Sequence, residues 1–557
     1  MTADTLPPSA LSARPSALQG WLLGGARLGR APARLGVWLG ADAMVVLLVL
    51  AMLLLWGPLA AAWHPQVSTD SLEQVLWASQ GWQWVYAKHP PLPTWIYLGA
   101  AALVGPSVEL THWLGALCSV GALAVLYLWA RPLVGARRAA LAALLVSLVS
   151  WYNAGTAFYN HNTLQLPLSI AAIAAFHGLL ARPAIARGAL LGLVGGLLLL
   201  TKLSALLLFA AFALYLGYAV LAERRALRPL LLPLAVACAL AATLAAGPLA
   251  LLYLGQPEAT QYVSESSLRA SSLLRRLNVL WNFSASAFAA LLPALLLFAA
   301  LRFRLPRPAQ PKAATGAPRL APFLAIVGFA PFALVLLIGL VTGANLLAPW
   351  ATALFTSLTL WLVACSPWRS IATRSTLGLA LPAVLLLHAA LLATLVLNHG
   401  KLPSFAKRHA PIPLPAPELA RAIEGAWAEH SRTPLPAVAT YIRYGAPIAL
   451  GLQGRAPVYD GNGLEFERRA PAAQRAACGM VYVIGPSTAQ ALPERPLQPA
   501  LDRPPVEQLA YLAALDGVSL LLPSTLRDGR PMRFHVVLQL PEPADGSACA
   551  AHAAGRV

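Results

Sequence analysis

Asp70 and Glu73 stand three residues apart in the run Asp70-Ser71-Leu72-Glu73-Gln74. On a helix that spacing puts both carboxylates on one face. Carboxylates so placed can share a proton, hold a divalent metal, or set one general base beside an orienting partner. The competing reading is a helix start, with Ser68, Thr69 or Asp70 as the cap and an acid in the first turn. The two readings are compatible.

A cation follows in Tyr86-Ala87-Lys88-His89-Pro90-Pro91-Leu92-Pro93-Thr94-Trp95. The paired prolines fix an extended turn. Trp82, Trp84, Tyr86 and Trp95 suit a membrane–water interface. Lys88 on such a turn can grip a lipid phosphate, or it is a snorkelling lysine beside an aromatic belt. Tyr159-Asn160-His161-Asn162-Thr163 is a polar run between apolar stretches, fit to hydrogen-bond a sugar or phosphate or to form a solvated turn. Thr201-Lys202 interrupts a long apolar stretch and reads as the tip of a hairpin, where an ionisable side chain is a functional candidate. Between Gln256 and Trp281 lie Glu258, Glu265, Arg269, Arg275 and Arg276, which either bind an anionic substrate or line an amphipathic surface helix.

No glycine-rich phosphate loop, H-E-x-x-H or G-x-S-x-G occurs, so nucleotide-driven chemistry is not expected. The five cysteines form no C-x-x-C and no metal framework.

The elements that must position these residues are membrane helices. Of 557 residues, 58% are hydrophobic and 11% charged, against about 25% charged in a soluble protein. Mean hydropathy is +0.65. These values exclude a soluble globular enzyme and a disordered chain. Apolar runs near 41–63, 110–130, 138–153, 164–181, 187–201, 203–221, 229–254, 282–301, 320–341, 345–365 and 375–397 predict about 11 transmembrane helices, with up to 13 allowed. The shorter run 93–104 reads as an interfacial helix. The first span follows a leader too long for a signal-peptide n-region and is expected to be retained.

Orientation follows from charge. With the basic N-terminal segment 1–40 inside, the outer side of residues 1–397 holds as its basic residues Lys88, Lys202, Arg269, Arg275 and Arg276, while the inner side collects arginines from Arg14 to Arg374. This accounts for much of the +19 net charge, so no nucleic-acid partner is expected. The first outer loop, 64–109, carries Asp70, Glu73 and Lys88. An odd number of spans places the C-terminus outside. After 397 the composition shifts: prolines cluster at 411–417, and most of the acidic residues lie beyond. The segment 398–557 is expected to fold as a small α/β domain. Its helix is expected at Glu418–Ala428 and its strands at Ala437–Tyr441, Val481–Ile484 and Phe534–Leu538. Cys478 and Cys549 pair if the compartment is oxidising.

The order of an acid after the first span, then Lys88-His89-Pro90-Pro91-Leu92, then Thr201-Lys202-Leu203 resembles the family 39 glycosyltransferases of GT-C type. These include protein O-mannosyltransferases and bacterial aminoarabinose transferases acting on lipid A. The resemblance covers roughly residues 40–365. It implies an inner-membrane hexosyl- or pentosyltransferase with a polyprenyl-phosphate sugar donor, a site facing the periplasm, and an acceptor such as lipid A, lipopolysaccharide core or another glycan. In that frame Asp70 is the catalytic carboxylate with Glu73 nearby, and Lys88, His89 and Lys202 meet the donor phosphate. Tyr86, Asn160, His161, Asn162 and Arg269 contact substrate. The intervening Ser71-Leu72 and the Asn-His-Asn run depart from family members with additional acids, which leaves a two-carboxylate mechanism and a divalent metal open. The alternatives are a transporter or flippase of a lipid-linked sugar, which favours charges near the bilayer midplane, and a non-catalytic envelope scaffold.

Overall fold

A computed structural model describes residues 40–63, 68–86, 89–157, 159–256, 272–302, 319–344, 346, 352–365, 374–397, 416–461, 466–488, 517–525, 531–543, 546 and 549. Apolar sequence produces helices throughout its first part, because a backbone in hydrocarbon must satisfy its own polar groups. In order these are α1 (Ala41–Leu54), α2 (Thr69–Ser79), α3 (Leu92–Val104), α4 (Glu109–Val134), α5 (Ala136–Ser147), α6 (His161–Ala181), α7 (Ile185–Leu199), α8 (Ala205–Leu221), α9 (Arg228–Tyr253), α10 (Leu273–Arg302), α11 (Leu320–Thr342), α12 (Thr352–Ala364) and α13 (Arg374–Leu397). Helix α1 continues to Trp63 through a π-helical turn at Leu55–Leu59 around Pro58, where proline removes a ladder donor.

Among the described residues, 7 helices are long and apolar enough to cross a membrane. They are α1 with its extension, α4, α6, α9, α10, α11 and α13. The other expected spans also form helices, but shorter ones. The run 138–153 is a correction of kind: α5 stops at Ser147 and 3-10 turns follow at Ser150–Tyr152 and Ala154–Ala157. There the Asn153 amide donates to the carbonyls of Ser147 and Val149. The expected interfacial helix is α3.

Helices α7 and α9 pack through glycine. A Cβ added at Gly188 would strike the Pro233 carbonyl, and one at Gly192 would lie 2.5 Å from the Ala237 oxygen. Small residues at this spacing let two backbones approach in lipid, where close van der Waals packing holds helices together. Far from the candidate site, Tyr127 on α4 donates to Asp42 Oδ1 at 2.5 Å, and Arg131 reaches Oδ2 at 3.3 Å.

The C-terminal domain comprises α14 (Ala416–His430), β1 (Val438–Thr440), α15 (Ile442–Leu452), β2 (Val458–Asp460), α16 (Phe466–Arg469), α17 (Ala472–Cys478), β3 (Met480–Thr488), β4 (Val518–Thr525) and β5 (Pro531–Gln539). Its sheet order is β2-β1-β3-β5-β4. β1 runs parallel to β2 and β3, while β5 is antiparallel to β3 and β4. The expected helix and three strands are present, the helix and the last two strands lengthened and the first strand trimmed to Val438–Thr440, and Cys478 and Cys549 form a disulfide.

One face of this domain has its own buried cluster, including Ala437, Ala439, Phe466, Met480, Tyr482 and Val537, while its other core is shared with the helical part. Leu72, Val75, Leu76 and Ala78 of α2 share one buried cluster with Ile423, Trp427, Val438, Ile442, Ala446 and Val481. The helix that carries Asp70 and Glu73 is therefore packed by the C-terminal domain.

Candidate functional site

Helix α2 begins as a capped helix. Ser68 accepts from the Ser71 N–H through its hydroxyl, with Asp70 in the first turn. The expected cap is thus Ser68, which leaves the Asp70 side chain uncommitted to that role. Asp70 is partly exposed and Glu73 is buried. Gln74, one residue on, accepts a 2.7 Å bond from Thr94 of α3. Glycine ends the helix: Gly81 has φ +84°, a conformation that costs a side chain free energy.

The proline turn runs from here to the hairpin tip between α7 and α8. The Leu92 N–H donates to the Leu200 carbonyl at 3.0 Å. Tyr159, wholly buried, donates from its hydroxyl to the Pro93 carbonyl at 2.8 Å. His89 and His161 bring their rings to 4.2 Å. Lys202 donates from Nζ to Asn162 Oδ1 at 2.5 Å. The Gln165 amide meets Ser204 at 3.1 Å and closes the turn against α6. Three sequence segments far apart in the chain, 89–93, 159–165 and 200–204, thus meet at the same end of the bundle as the C-terminal domain.

Lys202 lies in the turn between α7 and α8, outside both helices. The residue keeps some exposure, but its ammonium is buried deeply enough to pull its pKa down to about 8, against a partial upward pull from the Asp70 carboxylate. A carboxylate and a cation thus interact across the site. Such a pair can bind a phosphate while activating a hydroxyl.

Two candidates take structural work. Asn160 Oδ1 accepts from the backbone N–H groups of Asn162 and Thr163, and Thr163 returns a bond to the Asn160 N–H, a reciprocal cap on α6. Tyr86 is wholly buried; its hydroxyl donates to Gly81 O and accepts from Gln83 N, both at 3.1 Å, and its ring stacks on Trp77. The Tyr86 side chain is therefore a strut of the loop. Lys88 and Arg269, with Glu258 and Glu265, lie outside the described residues. Arg276 donates at 2.9 Å to the carbonyls of Leu340 and Val341, capping α11, where lone carbonyls attract a cation. Among the described residues no three His, Cys, Asp or Glu side chains gather as a metal centre.

Sequence reading missed Gln80, Gln83 and Arg469. Arg469 of α16 donates to Gln80 Oε1 at 2.7 Å and Gln83 Oε1 at 2.6 Å. Nothing in a lone arginine some 390 residues away along the chain marks it as a partner of this loop.

Residues 88–247 match the dolichyl-phosphate-mannose-protein mannosyltransferase family. No curated protein sequence matches the chain. Among solved structures, ArnT from Cupriavidus metallidurans bound to undecaprenyl phosphate superimposes with a TM-score of 0.56 at 16% identity, covering 90% of this chain and 98% of that one. The same protein in the apo state gives 0.54 at 14% identity, covering 94% and 98%. The expected resemblance to the GT-C transferases is thereby borne out: residues 88–247 are similar to the dolichyl-phosphate-mannose-protein mannosyltransferase family, and the chain as a whole has an ArnT-like fold.

Proposed function

We propose that this chain is an inner-membrane glycosyltransferase that moves a sugar from a polyprenyl-phosphate donor to an envelope acceptor, a lipid A, core or other glycan hydroxyl, on the periplasmic face. The observation that carries the reading is the convergence of Asp70 and Lys202 at one end of the helical bundle. The undecaprenyl phosphate bound by the structural neighbour supports the donor class. The arginine distribution supports a cytoplasmic N-terminus and a periplasmic C-terminal domain, and the Cys478–Cys549 disulfide supports an oxidising compartment for that domain.

Asp70 orients the acceptor hydroxyl and takes its proton as the oxygen attacks the anomeric carbon. The bond from that carbon to the phosphate oxygen breaks, and its electron pair leaves with the polyprenyl phosphate. Lys202, held by Asn162, balances the charge gathering on that phosphate. The family resemblance assigns Lys88 as a second phosphate-binding cation. Glu73, one helical turn from Asp70, lies buried beneath it on the same helix and sets the local field rather than the nucleophile. His89 and His161 pack beside the phosphate path as donors. A lipid-borne donor explains why no nucleotide motif is needed.

Binding of undecaprenyl phosphate to the purified full-length protein tests the donor half of this reading. Wild type binds it, and Lys202→Ala binds it at least tenfold more weakly. Equal affinity for the two proteins removes Lys202 from the donor site.

A further inference from the structure

We infer that Arg469 is a positioning residue: from the C-terminal domain it fixes α2, and with it Asp70, in register for transfer. The inference rests on the function proposed above. The guanidinium bridges two amides three residues apart, Gln80 at 2.7 Å and Gln83 at 2.6 Å, at the point where α2 gives way to the Lys88 loop. Both glutamines are tied elsewhere, Gln80 through its side-chain amide and Gln83 through its backbone. Gln80 Nε2 donates to the Val458 carbonyl of β2 at 3.0 Å, and the Gln83 backbone carbonyl accepts from Trp95 Nε1 of α3 at 2.7 Å. Arg469 thus closes a link between β2, the end of α2 and the start of α3.

The arginine itself is anchored. Arg475, 2% exposed, donates to the Ala470 carbonyl and lies 5.0 Å over the Phe466 ring. Three residues after Arg475, on the same helix, the disulfide at Cys478 ties α17 down. A continuous path therefore runs from the disulfide through Arg475 and α16 to Arg469 and α2.

The apolar contacts between α2 and the domain cannot do this alone. Leu76 packs on α15, where a Cβ at Gly445 would lie 3.3 Å from Leu76 Cδ2, and such burial is non-directional. It resists separation but sets register weakly. A planar guanidinium with a fixed fork of donors does set register, and small displacements of a reacting group cost large factors in rate.

The test uses the full-length protein in a deletion strain at matched expression, with the ratio of glycosylated acceptor to unused polyprenyl-phosphate sugar read by mass spectrometry. Arg469→Ala is expected to lower that ratio at least tenfold while the purified variant binds undecaprenyl phosphate within twofold of wild type. Arg469→Lys, reaching one amide, recovers part of the loss. The pair Gln80→Ala and Gln83→Ala gives the same loss without touching the arginine, and adding Arg469→Ala to it lowers transfer no further, the non-additivity of groups acting as one unit. Arg455→Ala, which breaks a surface pair with Glu424 in the same domain, leaves transfer unchanged. Wild-type transfer by Arg469→Ala while Asp70→Asn is inactive overturns the positioning role and leaves the proposed function standing. Wild-type transfer by both overturns the proposed function as well. If Arg469→Ala is not recovered folded, the two glutamine substitutions decide: full transfer by them overturns the inference.

Discussion

Lys202 and Asn162, from the hairpin tip and the first turn of α6, meet ammonium to amide oxygen at 2.5 Å. The amide holds the cation in place without neutralising it, so its charge remains available to an incoming anion. Burial has already lowered the pKa of Lys202 to about 8. The sign of the pH effect follows. Below about 8 the amine is protonated and attracts phosphate; above it the proton is lost and the attraction goes with it. Undecaprenyl phosphate affinity is expected to fall as pH rises from 7 to 9.5, with the bound anion shifting the midpoint upward. Binding across that range, compared with Lys202→Arg, checks this: the arginine variant stays charged and keeps a flat profile.

The Asn160 side chain caps α6. Asn160→Ala removes the acceptor for two backbone N–H groups and is expected to cost about 1 kcal/mol of stability. Donor affinity of the folded fraction should change little. Thermal unfolding in detergent beside a binding curve separates the two effects; a large loss of affinity with an unchanged Tm would return Asn160 to the binding site.

The glycine seam between α7 and α9 positions the Lys202 turn. Gly192→Leu must displace the Ala237 backbone, 2.5 Å from any added Cβ, and overpacking of this kind costs about 1–3 kcal/mol or more. A fall in folded yield and in Tm is expected, whereas Gly217→Ala, with open space around it, leaves both unchanged.

Much of this site was legible because its residue types are costly in an apolar chain. Asp70, Lys202 and the Pro90-Pro91 turn interrupt hydrophobic sequence, and an interruption of that kind in a membrane protein carries a function or a cap. The spans were legible from length and hydropathy, apart from 138–153, where Asn153 supplies the backbone contacts that end α5 early. The partnership of α2 with α15 was not legible. Leu72, Val75 and Leu76 read equally as a face toward lipid, toward α3 or toward a later domain, and periodicity does not choose among them. Strands β2 and β4 were missed; β2 has three residues, too few to show alternation, and its register comes from β1, while β4 takes its place by pairing with β5.

The disulfide between Cys478 and Cys549 closes a separation of 71 residues, and a loop of that size is worth about 2–4 kcal/mol. Cys549→Ser is expected to lower the Tm of the C-terminal domain and to speed its proteolysis. Thiol labelling of intact and permeabilised cells checks its location: a periplasmic domain resists labelling until reduced, and labelling of free thiols without reductant would place it in the cytoplasm.

The central claim is that Asp70 performs the transfer step. Lipid mass spectrometry on envelope extracts of a deletion strain, complemented with wild type or Asp70→Asn, tests it most directly. The account predicts that a polyprenyl-phosphate hexose or pentose accumulates in both the deletion and the Asp70→Asn strain, that one envelope glycan lacks a sugar in both, and that wild type restores it. A wild-type glycan pattern in the Asp70→Asn strain would contradict the account and reduce Asp70 to a residue in the first turn of a capped helix.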